Sequence, residues 1–204
     1  MSGYYHQYFE DDAVKDNFDK ALKFTLDPSI EGRIFSDTVG DRGGPTRCGI
    51  TLKTLKDYYA HFDYGDFDLD GDVDIDDIRL LDTPEEAAPI YKKWFWDVIK
   101  GDYLPAGVDY VVFDSAVNHG PRNAAKFLQK AANRFMAGLT VDGIIGDKTL
   151  TLVIGIGAIL ITDILRERDI FYSKIVANDP TQEKFAKGWR NRLSQVTVNA
   201  RTFT

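Results

Sequence analysis

The sequence predicts a mainly α protein with one small hairpin region. Three observations carry this expectation. Apolar residues recur at spacings of three and four along most of the chain. A Gly- and Asp-rich segment, IEGRIFSDTVGDRGGPTRCGI from Ile30, holds only short apolar pieces such as Ile34-Phe35. No strand-like run is long enough for a large sheet. With 44% hydrophobic and 13% aromatic residues in 204, the chain can bury a core, which excludes a disordered protein. That length suits one domain, or one domain with two lobes.

The elements follow in order. Phe18, Ala21, Leu22 and Leu26 form one face of a helix over about 13–26, and Asp27-Pro28 interrupts it. Thr51 can cap a helix carrying Leu52, Leu55, Tyr58 and Tyr59. Thr83, Pro84 and Glu86 read as a capping box with Pro at the first helical position. The apolar face of that helix is expected at Ile90, Trp94 and Val98. A further helix, PAGVDYVVFDSAV, ends at Asn118-His119-Gly120. Pro121 opens the next, with Phe127, Leu128, Ala131 and Phe135 inward. VDGIIGDKT is a turn segment. LVIGIGAILITDIL from Leu152 is broken by Asp163 and holds two glycines, so it reads as a buried core helix and not a bilayer span. Helices near 160–176 and 181–195 close the chain.

Charge is localised. Residues 66–77, DFDLDGDVDIDD, carry seven Asp and no Lys or Arg, which equals the formal −7 of the whole chain. The remainder is formally neutral, so the acidity belongs to one loop. Its spacing is that of an EF-hand loop: Asp66, Asp68 and Asp70 at positions 1, 3 and 5, Gly71 at 6, Val73 at 8 and Asp77 at 12. Hard Ca²⁺ takes six to eight oxygens, and Gly at position 6 permits the sharp turn that gathers them. Asp66, Asp68, Asp70, Asp72 and Asp77 are the expected ligands, Asp72 through its backbone carbonyl, with Asp74 acting through water. A merely solvated acidic run explains neither Gly71 nor the apolar Val73. Asp at position 12 resembles dockerin-type calcium loops. One such loop between helices points to a structural or switching role for Ca²⁺.

The stretch from Glu31 to Thr51 carries the chemistry. An acidic residue ends an apolar helix; Asp41-Arg42-Gly43-Gly44-Pro45-Thr46 follows, then Gly49-Ile50-Thr51. This pattern resembles glycoside hydrolase family 108, phage and prophage lysozyme-like muramidases with E-G-G, D-x-G-G-x-T and G-I-T. The segments from Phe113 and from Val141 resemble the peptidoglycan-binding region that follows the catalytic part in that family. The resemblance covers roughly residues 15–200. It implies a lysozyme-like, two-lobed helical fold with the hairpin near the active site. It implies a catalytic region at 13–107 that includes the calcium loop, and a helical peptidoglycan-binding region at 108–204 packed with it as one unit. By resemblance Glu31 is the general acid, Asp41 the second carboxylate and Thr46 a holder of the attacking water. Asp37 competes with Asp41 for the second role. Arg33 stands where the family has a second Gly and could contact substrate.

The physical chemistry agrees with these roles. Glycosidic cleavage needs an acid that protonates the leaving oxygen and a second group that positions water or stabilises the oxocarbenium-like transition state. Partial burial keeps a Glu protonated near neutral pH. Asn118 and His119 are candidate substrate contacts. Lys184, Lys187, Arg190, Arg192 and Arg201 outnumber Glu183 in the tail and could face an anionic wall, or simply solvent.

The single Cys48 excludes an intrachain disulfide framework. The first residues lack the basic and apolar regions of a signal peptide, so synthesis in a host cytoplasm and action in the periplasm after holin release are expected. The expected function is a monomeric peptidoglycan-cleaving muramidase (an endolysin) that binds Ca²⁺ and neither binds nucleic acid nor inserts stably in a membrane. The competing readings are a calcium-dependent wall-binding protein without turnover, and a nucleic-acid mimic or ion buffer built on the Asp run. Glu31 and Thr46 in their context favour the enzyme.

Overall fold

The structure, a computed structural model, describes residues 13–27, 35–37 and 44–203. Among these the chain is mainly helical with one two-stranded sheet, as expected. It divides into two compact units, Leu22–Trp94 and Met1–Ala21 with Phe95–Thr204. The first helix, α1 (Ala13–Thr25), runs from one unit into the other.

In the unit Leu22–Trp94, strands β1 (Thr46–Arg47) and β2 (Ile50–Thr51) pair antiparallel, Thr46 opposite Thr51. Their two-residue loop is Cys48-Gly49, with φ of 51° and 70°. Positive φ at both central residues is what a hairpin turn of the strand-twist-matching kind requires, and Gly49 meets it without strain. Thr51 then caps α2 (Leu52–Phe62), its hydroxyl accepting from Thr54 N–H at 3.1 Å. The acidic loop leads into α3 (Ile75–Leu80). The expected capping box opens α4 (Pro84–Tyr91): Thr83 accepts from Glu86 N–H, and Glu86 accepts from Thr83 N–H at 2.8 Å. Desolvation pushes the Glu86 carboxyl up, but the Thr83 and Asp82 N–H groups outweigh it and hold the carboxyl below its usual range. Leu26, Ile50, Leu55, Ile78, Leu81 and Ile90 fill this unit's core.

The expected face Ile90–Trp94–Val98 is corrected by the backbone. After α4 the chain forms a π-turn over Lys92–Trp96. A π-turn adds one residue to the helical repeat, so it rotates everything beyond it. Ile90 and Tyr91 are buried, but the next buried positions are Trp96 and Ile99, and Val98 is exposed.

In the other unit, α5 (Val108–His119) is buried on every side from Val108 to Ala116. It packs against α6 (Pro121–Asn133), α8 (Leu160–Asn178) and α9 (Ala186–Ala200). Phe18, Trp96 and Phe113 meet edge-to-face, with centroids 5.4–5.9 Å apart. Gly101 lies so close under Trp96 that a Cβ there would sit 2.3 Å from its ring. Phe135 lies beyond the end of α6 and is exposed, contrary to the inward position expected.

The expectation of a buried helix from Leu152 is also corrected. The run Asp147–Asn178 is long and apolar enough to cross a membrane by length and composition, yet only 28% of its most apolar window is buried. Gly157, at φ +75°, divides it into α7 (Asp147–Ile156) and α8. Val153, Leu160 and Ile164 turn inward, while Ile154 and Ile159 are exposed.

Asp109, in the first turn of α5, is a buried carboxyl that accepts from Asn17 Nδ2 at 2.8 Å and Tyr110 N–H at 2.6 Å. Burial pushes it up to about 6, its hydrogen bonds only partly opposing this. A carboxyl whose folded pKa is raised costs nothing below its unfolded pKa and costs the full amount above its folded one. Between pH ~4 and ~6 the fold should therefore lose about 3 kcal/mol at this site. Denaturant unfolding across that range should show the fall in the wild type and its loss in Asp109→Asn.

Candidate functional site

The hairpin positions Thr46. Ser36 and Thr46 exchange backbone hydrogen bonds of 2.8 and 2.9 Å, which adds a third short extended segment beside β1. The Thr46 hydroxyl donates to Gly44 C=O at 3.0 Å, leaving its lone pairs able to accept from a water. Asp37 follows Ser36 and is exposed. Glu31, Arg33 and Asp41 lie outside the described residues.

The hairpin is tied to the element that leaves the acidic loop. Arg47 donates to Arg79 C=O and pairs with Asp82. Cys48 Sγ lies 3.5 Å from Leu81 C=O, and Tyr91 Oη donates to Cys48 C=O at 2.7 Å. The Arg79 guanidinium stands 5.4 Å from the Phe35 ring centroid. The end of α3 and the strand carrying Thr46 thus share a set of direct bonds.

The loop itself is wrapped by its own carboxylates. Asp66 accepts from the N–H groups of Asp70 and Gly71 at 3.2 and 3.0 Å. Gly71 sits at φ +98° and Val73 is buried, as the spacing predicts. Asp77, 1% exposed, accepts from Phe67 N–H at 2.6 Å and Asp74 N–H at 2.8 Å, closing the loop end to end. Oxygens of Asp66, Asp68 and Asp70 lie within 4.8 Å of one another, as do those of Asp72, Asp74 and Asp77. Asp74 also caps α3. The charge of Asp70, with desolvation second, pushes the Asp72 carboxyl up. Such a donor set suits a hard divalent cation.

In the other unit Asn118 and His119 end α5 above a buried ionic cluster. Asp114 is fully buried and lies 2.6 Å from Arg168 Nη1 and 2.8 Å from Arg192 Nη2. Desolvation opposes its charge, but the two guanidiniums win and hold it below the usual carboxylate range. Arg192 is therefore part of the core, where the sequence placed it on a charged outer face. Tyr172 Oη donates to Asn118 Oδ1 at 2.7 Å. His119 is ringed by Phe127, Phe171 and Tyr172. Burial first, then repulsion from Arg168 and Arg192, pushes it down to about 3. It is neutral near pH 7 and serves neither as acid nor as charged contact there.

Tyr172 is also the floor of a cleft of about 200 Å³ between α8 and α9, lined by Asp169, Glu183, Trp189 and Arg190 among others. Trp189 stacks on Tyr172 with centroids 4.8 Å apart and planes 9° apart.

Residues 23–120 match the family described as glycosyl hydrolase 108, and residues 123–194 match one described as a predicted peptidoglycan domain. The solved structure of Brucella abortus SagA is similar, with a TM-score of 0.71 and 34% sequence identity over 93% of this chain and 96% of that one. The chain belongs to glycosyl hydrolase family 108. Among curated proteins none matches. The two matches together describe a glycoside hydrolase that degrades peptidoglycan.

Some features of this family 108 hydrolase escape sequence reasoning. Arg47, to which the sequence assigns no role, joins the hairpin to the end of α3. Asp114 meets its arginines 54 and 78 positions away. The cleft had a weak local signal, since Asp169, Tyr172 and Val176 fall at i, i+3 and i+7 on one helix face. Truncating Asp114 should test the cluster. Asp114→Ala leaves two buried guanidiniums unpaired and should cost about 3–5 kcal/mol in denaturant unfolding. Replacing Arg168 and Arg192 with Met as well should recover much of it.

Proposed function

We propose that this hydrolase is an N-acetylmuramidase, cleaving the β-1,4 bond between N-acetylmuramic acid and N-acetylglucosamine, and that it holds a structural Ca²⁺. One observation carries the reading: the segment with Glu31, Asp41 and Thr46 falls inside the glycosyl hydrolase match, in a chain that also carries a peptidoglycan domain. Glu31 protonates the leaving oxygen. Asp41, or alternatively Asp37 beside the Ser36–Thr46 pairing, supplies the second carboxylate. The Thr46 hydroxyl accepts a hydrogen bond from the attacking water and so orients it. Arg33 contacts substrate, while Asn118 and His119 support the wall-binding unit from behind Tyr172. The protein acts as a monomer on the wall in the periplasm, with no nucleic-acid partner.

Asp66, Asp68, Asp70, Asp72 and Asp77 would hold the calcium. Bound Ca²⁺ offsets the repulsion among these carboxylates. The loop's curvature and the Arg47 bonds support a role in steadying the hairpin that bears Thr46.

Glu31→Gln should lower the rate of sacculus solubilisation about 10²–10⁴-fold, the range of general acid catalysis, with wall binding retained. Equal rates for both proteins would remove Glu31 from the mechanism. Calcium at about 100 times its Kd should stabilise the protein by about 2.7 kcal/mol, seen as a higher Tm that chelator reverses. Chelator that abolishes turnover without lowering Tm would instead place the ion in the chemistry.

A further inference from the structure

The peptidoglycan domain match names the polymer but not the part of it that is held. We infer that the α8–α9 cleft is a subsite for the stem peptide, and that it takes the free ammonium and carboxylate of a diamino acid. This rests on the reading that peptidoglycan is the substrate, and it narrows that reading to one place and one chemical group.

Charge selects the ligand. The cleft, of about 200 Å³, has room for an amino-acid-sized group. Asp169, Tyr172 and Val176 present one face of α8, and Trp189 and Arg190 present one face of α9. Glu183 adds a second carboxylate from the 3₁₀ turn Pro180–Phe185. None of Asp169, Glu183 and Arg190 forms a side-chain ion pair among the described residues. Two anions and one cation, all solvent-exposed, thus line the cleft without an ion-pair partner from the described protein. A neutral sugar offers none of the three a charged partner. A zwitterion places its ammonium against Asp169 and Glu183 and its carboxylate on Arg190, a charge-assisted pairing at both ends. Its methylene chain lies against the Trp189 ring.

The aromatic floor of the cleft is held in place. Tyr172 is pinned from behind by Asn118 Oδ1 at 2.7 Å, and its Oη lies 3.4 Å from Arg168 Nη2. Trp189 is held by its stack on Tyr172. A floor fixed in this way loses little entropy when a ligand arrives.

The test uses the full chain, isotope-labelled for backbone amide NMR, and three probes. These are the tripeptide L-alanyl-γ-D-glutamyl-meso-diaminopimelate, the same tripeptide N-acetylated on its side-chain amine, and a peptide-free chitin tetrasaccharide. The tripeptide should shift amides across 169–190 saturably. Acetylation, Asp169→Asn and Arg190→Gln should each weaken binding about tenfold. Shifts there from the tetrasaccharide but not the tripeptide, or from neither, would overturn the subsite. Release of soluble products from sacculi is scored alongside. Products without tripeptide binding would sink the subsite and leave the hydrolase standing. Tripeptide binding without products would do the reverse.

Discussion

One buried carboxylate organises the larger unit. Asp114 sits in the middle of a helix that is covered on all sides, and it answers two guanidiniums at once. Burying each of these ions costs several kcal/mol, and only close, hydrogen-bonded pairing repays that. The three side chains come from α5, α8 and α9, so the helices are held where those bonds are made. The effects spread outward through contact. Arg168 reaches Tyr172, Tyr172 holds Asn118 and stacks on Trp189, and the cationic surroundings help keep His119 uncharged. The cleft between α8 and α9 is the outer surface of that cluster.

The unit Leu22–Trp94 is governed by charge in the opposite sense. Here carboxylates of one sign are gathered in a loop whose backbone N–H groups tie it but do not neutralise it. Asp72 is pushed up by its neighbour. The loop's exit is bonded to the hairpin through Arg47 and Leu81. The geometry of the loop's exit and the setting of Thr46 are thereby connected through two or three side chains.

How much of this the sequence discloses depends on range. Signals that act within four residues were readable. The Thr83–Glu86 capping box, the Thr51 cap, the left-handed Gly71 and the buried Val73 all follow from local hydrogen bonding and sterics. The π-turn at Lys92–Trp96 was not readable, because a helical repeat assumed constant gives no sign of an extra residue, and it turned Val98 outward. Ile154 and Ile159 misled for a related reason: composition says apolar, but Gly157 bends the segment and leaves one side uncovered. The Asp114 cluster joins positions too distant for any spacing rule. Of the candidate site, the place of Thr46 in a hairpin region and the clustering of the loop carboxylates were legible from local pattern. The Arg47 bonds join residues 32 and 35 positions apart, and the Tyr172–Trp189 wall left only the weak face pattern on α8.

The proposed muramidase activity turns on which bond is cut. That is measured directly by mass spectrometry of the soluble fragments that the wild-type protein releases from purified Gram-negative sacculi, after reduction of their free ends. A muramidase should release fragments ending in reduced N-acetylmuramic acid. Fragments ending in reduced N-acetylglucosamine, or peptide fragments with intact glycan strands, would contradict it.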